Sequence, residues 1–184
     1  MLFRILKFHP AYITDFTIKL VTQLILLSTL APIVIKGDGM TPITLQTLII
    51  LFGSIAFGWR IGFLATLLYI AMGFAGLPVF ADYTSGIAKL YGPYGGYFFG
   101  FLVASLVTGY LTEIDMFAKQ MTAILLWFLG HLIILVCGLF WTTQMGRIGW
   151  WEELQFLFPA AAIKSVFGAL IIQLIYKIIQ RFKK

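Results

Sequence analysis

Six stretches of this chain run almost without charge. Leu20 to Ile35, Gly39 to Trp59, Ile61 to Ala81, Leu90 to Thr112 and Gln120 to Gly146 carry no Asp, Glu, Lys or Arg, and Leu154 to Tyr176 carries only Lys164. A helix needs about 20 mostly apolar residues to cross the hydrocarbon core of a bilayer. A membrane barrel would instead show alternating segments of about ten residues. Composition agrees with helices in lipid: 61% of the 184 residues are hydrophobic and 11% are charged, against about 25% charged in a soluble domain. A soluble fold of this size could not bury so much apolar surface. The chain therefore reads as an all-α integral membrane protein. A soluble enzyme, a disordered chain and a secreted disulfide scaffold are excluded. The one cysteine, Cys137, lies inside an apolar run and reads as a small buried hydrophobe. The first 13 residues mix basic and apolar side chains without a small-x-small cleavage site.

Glycine and proline refine the spans, which are expected at about 15–35, 44–58, 60–75, 92–112, 120–142 and 159–180 within a single membrane domain, 1–184. Pro32, Gly37, Gly39 and Pro42 bracket the first link, and Gly58-Trp59-Arg60 reads as a tight turn. Gly92-Pro93 and Pro159 are expected to open the fourth and sixth spans. Trp141 to Phe158 reads as a loop lying at the interface. With six spans the two termini share a side. That side holds Arg4, Lys7, Lys19, Arg60, Lys119, Lys177, Arg181, Lys183 and Lys184, while the other holds Lys36, Lys89 and Arg147. Lys and Arg accumulate on the cytoplasmic side. Both termini are thus expected in the cytoplasm, in a multi-pass protein of the cytoplasmic (inner) membrane. The outer loops would be 36–43, 77–91 and 143–158. Topology also accounts for the net charge of +6, which needs no nucleic-acid partner. Two stripes of small residues, Gly92-Gly96-Gly100-Ala104-Thr108 and Ala161-Ser165-Ala169, read as close helix packing inside the chain or against another membrane protein.

Few residues here could carry chemistry. His9 and His131 have no metal-binding companions, and there is no Gly-x-Ser-x-Gly and no ATP-binding Walker sequence. No cofactor or metal is expected. His131, mid-span, reads as a neutral side chain hydrogen-bonded to a neighbouring helix. Lys164 stands out more. It follows Pro159 by five residues, in the first turns of the last span, near the positive end of the helix dipole. A lysine at depth calls for an anion or a strong acceptor, so Lys164 reads as a ligand contact. The apolar loop 77–91, with Asp82, Tyr83, Thr84, Ser85 and Lys89, reads as a lid over a cavity. Gln46 and Tyr69 lie inside spans and should face that cavity. Together they suit a small neutral or weakly acidic ligand with hydrogen-bonding edges.

Three stretches then resemble a known family. Pro42-Ile-Thr-Leu-Gln46-Thr-Leu, Gly76-Leu-Pro-Val-Phe-Ala81 and Gly92-Pro-Tyr-Gly-Gly-Tyr97-Phe-Phe-Gly100-Phe closely resemble BioY proteins, the biotin-specific S components of energy-coupling factor (ECF) transporters. The likeness runs from about Thr41 to Thr112 and continues weakly at Phe158 to Lys164. It implies an S-component-like bundle of six transmembrane helices with biotin as transported ligand. Its implied partners are a transmembrane coupling protein and two ATPases, or further copies of itself if it acts alone, within a lipid bilayer. It adds Tyr97 to the candidate residues. The lysine of the family's Pro-Gly-Asp-x-x-Lys stretch falls on Lys164, but its Asp falls on Ala161. Lys164 thus lacks a counter-charge one turn away, and Asp82, Glu152, Glu153 or a substrate carboxylate must supply it. Two other readings stay open: an S component for a different vitamin or biotin relative, and a small intramembrane enzyme. The latter needs a nucleophile and base at depth, and the sequence offers none.

Overall fold

The apolar runs fold into helices, joined by short links. The computed structural model describes residues 13–35, 43–114, 120–146 and 149–182. Loop positions 36–42, His9 and the charges Arg4, Lys7, Lys36, Lys119, Arg147, Lys183 and Lys184 lie outside the described residues. Helix α1, Ile13–Leu30, carries Asp15 in its first turn, paired with Lys19 at 2.6 Å. After Pro32 the chain forms a two-stranded antiparallel ribbon, β1 (Val34–Ile35) and β2 (Ile43–Thr44), with Val34 opposite Thr44. Then follow α2, Gln46–Phe57, and α3, Trp59–Phe74. Gly58 reverses the chain between them with φ 88°, a conformation costly for any residue with a Cβ. A 3₁₀ turn at Ala81–Tyr83 and a short helix α4, Ala88–Tyr91, fill the next loop. Three long helices complete the fold: α5 (Gly95–Glu113), α6 (Gln120–Gln144) and α7 (Trp150–Phe182).

Helices α1, α5, α6 and α7 are long and apolar enough to cross a membrane. The runs expected as second and third spans form shorter helices of 12 and 16 residues. At 1.5 Å per residue these reach about 18 and about 24 Å, less than the hydrocarbon core of about 30 Å. The last helix differs most from expectation. It begins at Trp150 and runs through Pro159 without a break. The expected outer loop 143–158 therefore shrinks to the few residues between α6 and α7. A proline inside a helix removes one ladder bond, and an apolar surrounding penalises any further loss. Glu152 and Glu153 also favour a helix start here, since they lie in the first turn at the positive end of the dipole. Pro93 sits just ahead of α5 rather than inside its first turn.

Helix α5 packs against α6, α3 and α2, and α7 against α6. The glycine stripe explains the closest of these contacts. A Cβ on Gly100 would come within 3.0 Å of the Ile134 Cα, and one on Gly96 would meet Cys137 and Trp141. The stripe therefore serves packing within the chain. Leu27, Ile50, Leu51, Leu126 and Trp127 form the buried core. Buried hydroxyls bond to carbonyls one turn back, as in Ser54 to Ile50, Thr66 to Gly62 and Thr108 to Ala104. That is how such groups are satisfied away from water. The outer surface stays apolar: Phe99 is 65% exposed, Phe140 68% and Leu174 60%. A face this greasy is at home in lipid and unstable in water.

Candidate ligand-binding site

The β1–β2 ribbon, the start of α2, the loop after α3 and the facing turns of α5, α6 and α7 enclose a cavity of about 380 Å³. Small-molecule sites usually span about 300–1,000 Å³. Its walls are mostly apolar, with an aromatic side formed by Phe80, Phe98 and Phe101. Phe80 and Phe98 stack obliquely with centroids 4.7 Å apart, and Phe98 meets Phe101 edge-on at 5.9 Å.

Lys164 of α7 reaches into this cavity. Its Nζ donates to the Thr44 carbonyl oxygen at 2.6 Å and to Thr47 Oγ1 at 3.2 Å. These are neutral acceptors on the far side of the cavity, so the lysine ties α7 to the ribbon and to α2. An ammonium has three donors, and two of them are used among the described residues. Among the described residues the hydrogen-bond partners of Lys164 are thus these neutral groups rather than Asp82, Glu152 or Glu153. Glu153 is fully buried and accepts from Tyr97 OH at 3.0 Å and Thr142 Oγ1 at 2.8 Å.

Of the other residues singled out in the sequence, Gln46, Asp82, Thr84 and Tyr97 line the cavity. Tyr69, Tyr83 and Ser85 do not form its wall. Tyr69 stands one layer behind: its hydroxyl accepts from Gln46 Nε2 at 2.7 Å and donates to the Val79 carbonyl at 2.8 Å. It therefore holds Gln46 and the loop in place. Tyr83 is 63% exposed and directed outward. The reason is local: Asp82 and Tyr83 both have positive φ, 58° and 55°. Two such non-glycine residues in succession store strain. Main-chain bonds hold that turn: Asp82 N–H to Pro32 O at 2.9 Å, Phe80 N–H to Thr84 O at 3.0 Å and Gly86 N–H to Gly73 O at 2.8 Å. Lys89 also reaches the lining.

Sequence reasoning missed Thr44, Thr47 and His131 as cavity residues. Both threonines lie in the Pro42–Leu48 stretch that carries the family resemblance, but nothing in their spacing pointed to a lysine 120 residues away. His131 did give one, as an ionisable group at membrane depth. The expected bond to a neighbouring helix is present: Ser165 Oγ of α7 lies 3.1 Å from His131 Nδ1. Its ring also lines the cavity.

The fold defines a class: a multi-pass helical membrane protein, here with a largely apolar cavity of ligand size. The BioY family profile matches residues 10–183. The chain is 34% identical to biotin transporter BioY2 of Lactococcus lactis subsp. cremoris, over 80% of each chain. It is 30% identical to a probable biotin transporter BioY of Pyrococcus horikoshii, over 69% of this chain and 74% of that one. A crystal structure of the S-component for biotin from an ECF-type ABC transporter superposes with a TM-score of 0.76 at 22% identity, covering 91% of this chain and 95% of that one. That last likeness is one of fold. The chain belongs to the BioY family.

Proposed function

We infer that this protein is the membrane subunit that captures biotin for uptake. Membership of a family of biotin transporters carries this reading. The largely apolar cavity, with Lys164 hydrogen-bonded across it, supports it. The protein is a transport subunit and not an enzyme, and biotin is its cargo rather than a cofactor.

Biotin joins a ureido-thiophane bicycle to a carboxylate-bearing chain. In our reading the bicycle rests against Phe80, Phe98 and Phe101, while Lys164 gives its third N–H to an oxygen of the ligand. Gln46, Asp82, Thr84 and Tyr97 supply the remaining polar contacts, and Tyr69 positions Gln46. The strained turn at Asp82–Tyr83, with Ser85 behind it, forms part of the cover. We further propose that residues 1–184 act as one membrane domain with six membrane-inserted helical segments, α2 and α3 being the short ones. Both termini then face the cytoplasm across the cytoplasmic membrane. Transport needs two access states, each favoured by a different partner or ligand. The partner that fits is an ECF module, a transmembrane coupling protein with two ATPases; self-association is the outcome to test beside it.

The test is equilibrium binding of labelled biotin to the purified chain in detergent. Saturable binding of about one biotin per chain is expected. No biotin binding, with capture of another vitamin in a competition screen, would move the reading to a different vitamin.

A further inference from the structure

His131 is 3% exposed and belongs to the cavity wall. Its two ring nitrogens are treated differently. Nδ1 lies 3.0 Å from the Trp127 carbonyl oxygen, which can only accept. It also lies 3.1 Å from Ser165 Oγ, whose own hydrogen goes to the Ala161 carbonyl at 2.7 Å. Both neighbours therefore call for a hydrogen on Nδ1. In the neutral ring that leaves Nε2 as a bare acceptor. Nε2 is buried and has no hydrogen-bond partner among the described residues. A buried acceptor left unmade costs about 1–3 kcal/mol, and a ligand donor reaching it from the cavity that the His131 ring lines would recover that cost.

From these contacts we propose that His131 Nε2 accepts a hydrogen bond from an N–H of the ligand. This rests on the reading of the cavity as a biotin site and extends it. Biotin carries two ureido N–H donors. Of the other polar groups on the wall, Gln46 gives its Nε2 to Tyr69 and Asp82 is exposed at the rim where water competes; Ala161 offers only a methyl group. Lys164, next to Ser165 on α7, donates but cannot accept. The pair thus divides the work: Lys164 binds a ligand oxygen and His131 binds a ligand N–H. His131 then selects for cyclic ureas over vitamins and acids that lack an N–H at that edge.

The experiment compares biotin binding to the full purified chain, His131→Asn and His131→Gln. Asparagine reproduces the Nδ1 position and omits Nε2; glutamine places an amide oxygen near Nε2. His131→Asn should bind biotin about 10-fold more weakly or worse, and His131→Gln should recover most of that loss. Two cyclic carbamate analogues of biotin, each with one ureido N–H replaced by oxygen, provide a second measurement on the wild type. One isomer should lose a comparable factor, and that isomer should bind wild type and His131→Asn equally. Equal biotin binding by wild type and a folded His131→Asn overturns the proposal. So does equal wild-type affinity for biotin and both carbamates. If the wild type binds no biotin at all, the biotin reading falls and this proposal with it.

Discussion

Lys164 Nζ meets the Thr44 carbonyl oxygen at 2.6 Å across 120 residues of sequence. One side chain of α7 therefore closes the cavity against the ribbon that precedes α2. Its charged end reaches the Thr44 carbonyl of β2. A neutral carbonyl does not cancel the charge, which is why the proposed binding mode gives Lys164 a ligand oxygen.

Replacing Lys164 by alanine should reduce biotin affinity by about 10- to 100-fold, the range for losing a charged hydrogen bond of about 1.5–3 kcal/mol. Isothermal titration on the purified variant measures it. Unchanged affinity would remove Lys164 from the site.

Tyr69→Phe deletes one hydroxyl that both accepts from Gln46 and donates to Val79. It strands two buried groups, at a cost of about 1–3 kcal/mol each. A lower thermal midpoint and weaker biotin binding are expected together, since Gln46 loses its anchor. A lower midpoint with intact binding would show that Gln46 does not need that anchor to serve the ligand.

Glu153 holds Tyr97 and Thr142. Glu153→Ala should destabilise the protein more than Tyr97→Phe does. The double variant should cost less than the two losses added, because the residues share a bond. Denaturation midpoints of the three variants provide the comparison, and strict additivity would deny the coupling.

Gly100→Val should weaken the α5–α6 contact, because its Cβ would meet the Ile134 backbone at 3.0 Å. Overpacking of this kind costs about 1–3 kcal/mol. Thermal unfolding in detergent reads it. A midpoint equal to that of wild type would mean that α5 and α6 can separate without loss.

Orientation has its own assay. In a Cys137→Ala background, Ser85→Cys should react with an impermeant maleimide added outside intact cells, and Arg181→Cys should react only after permeabilisation. The reverse pattern would invert the protein in the membrane.

Much of this was legible from charge spacing. The runs between charges mark where the helices form, because lipid leaves the backbone few alternatives. Lys164 and Gln46 announced themselves as polar groups in apolar runs. Other features were hidden for identifiable reasons. Pro159 looked like a helix start, yet one missing ladder bond does not stop a helix whose surroundings penalise every further opening. Tyr69 looked like a wall residue, but its hydroxyl is consumed by Gln46 and Val79. Tyr83 shares its loop with Asp82 and Thr84 and still points away, because backbone torsion decides its direction. Thr44 and Thr47 lie in a stretch that resembles the family, but their bonds to Lys164 form only when α7 is folded against the ribbon, a contact between distant segments.

The turn over the cavity is fastened by main-chain groups, Asp82 N–H to Pro32 O and Gly86 N–H to Gly73 O. Such fastenings are indifferent to side-chain identity. The shape of the turn can therefore persist while the side chains it presents are exchanged, and a lineage could retune which cargo is admitted without redesigning the door.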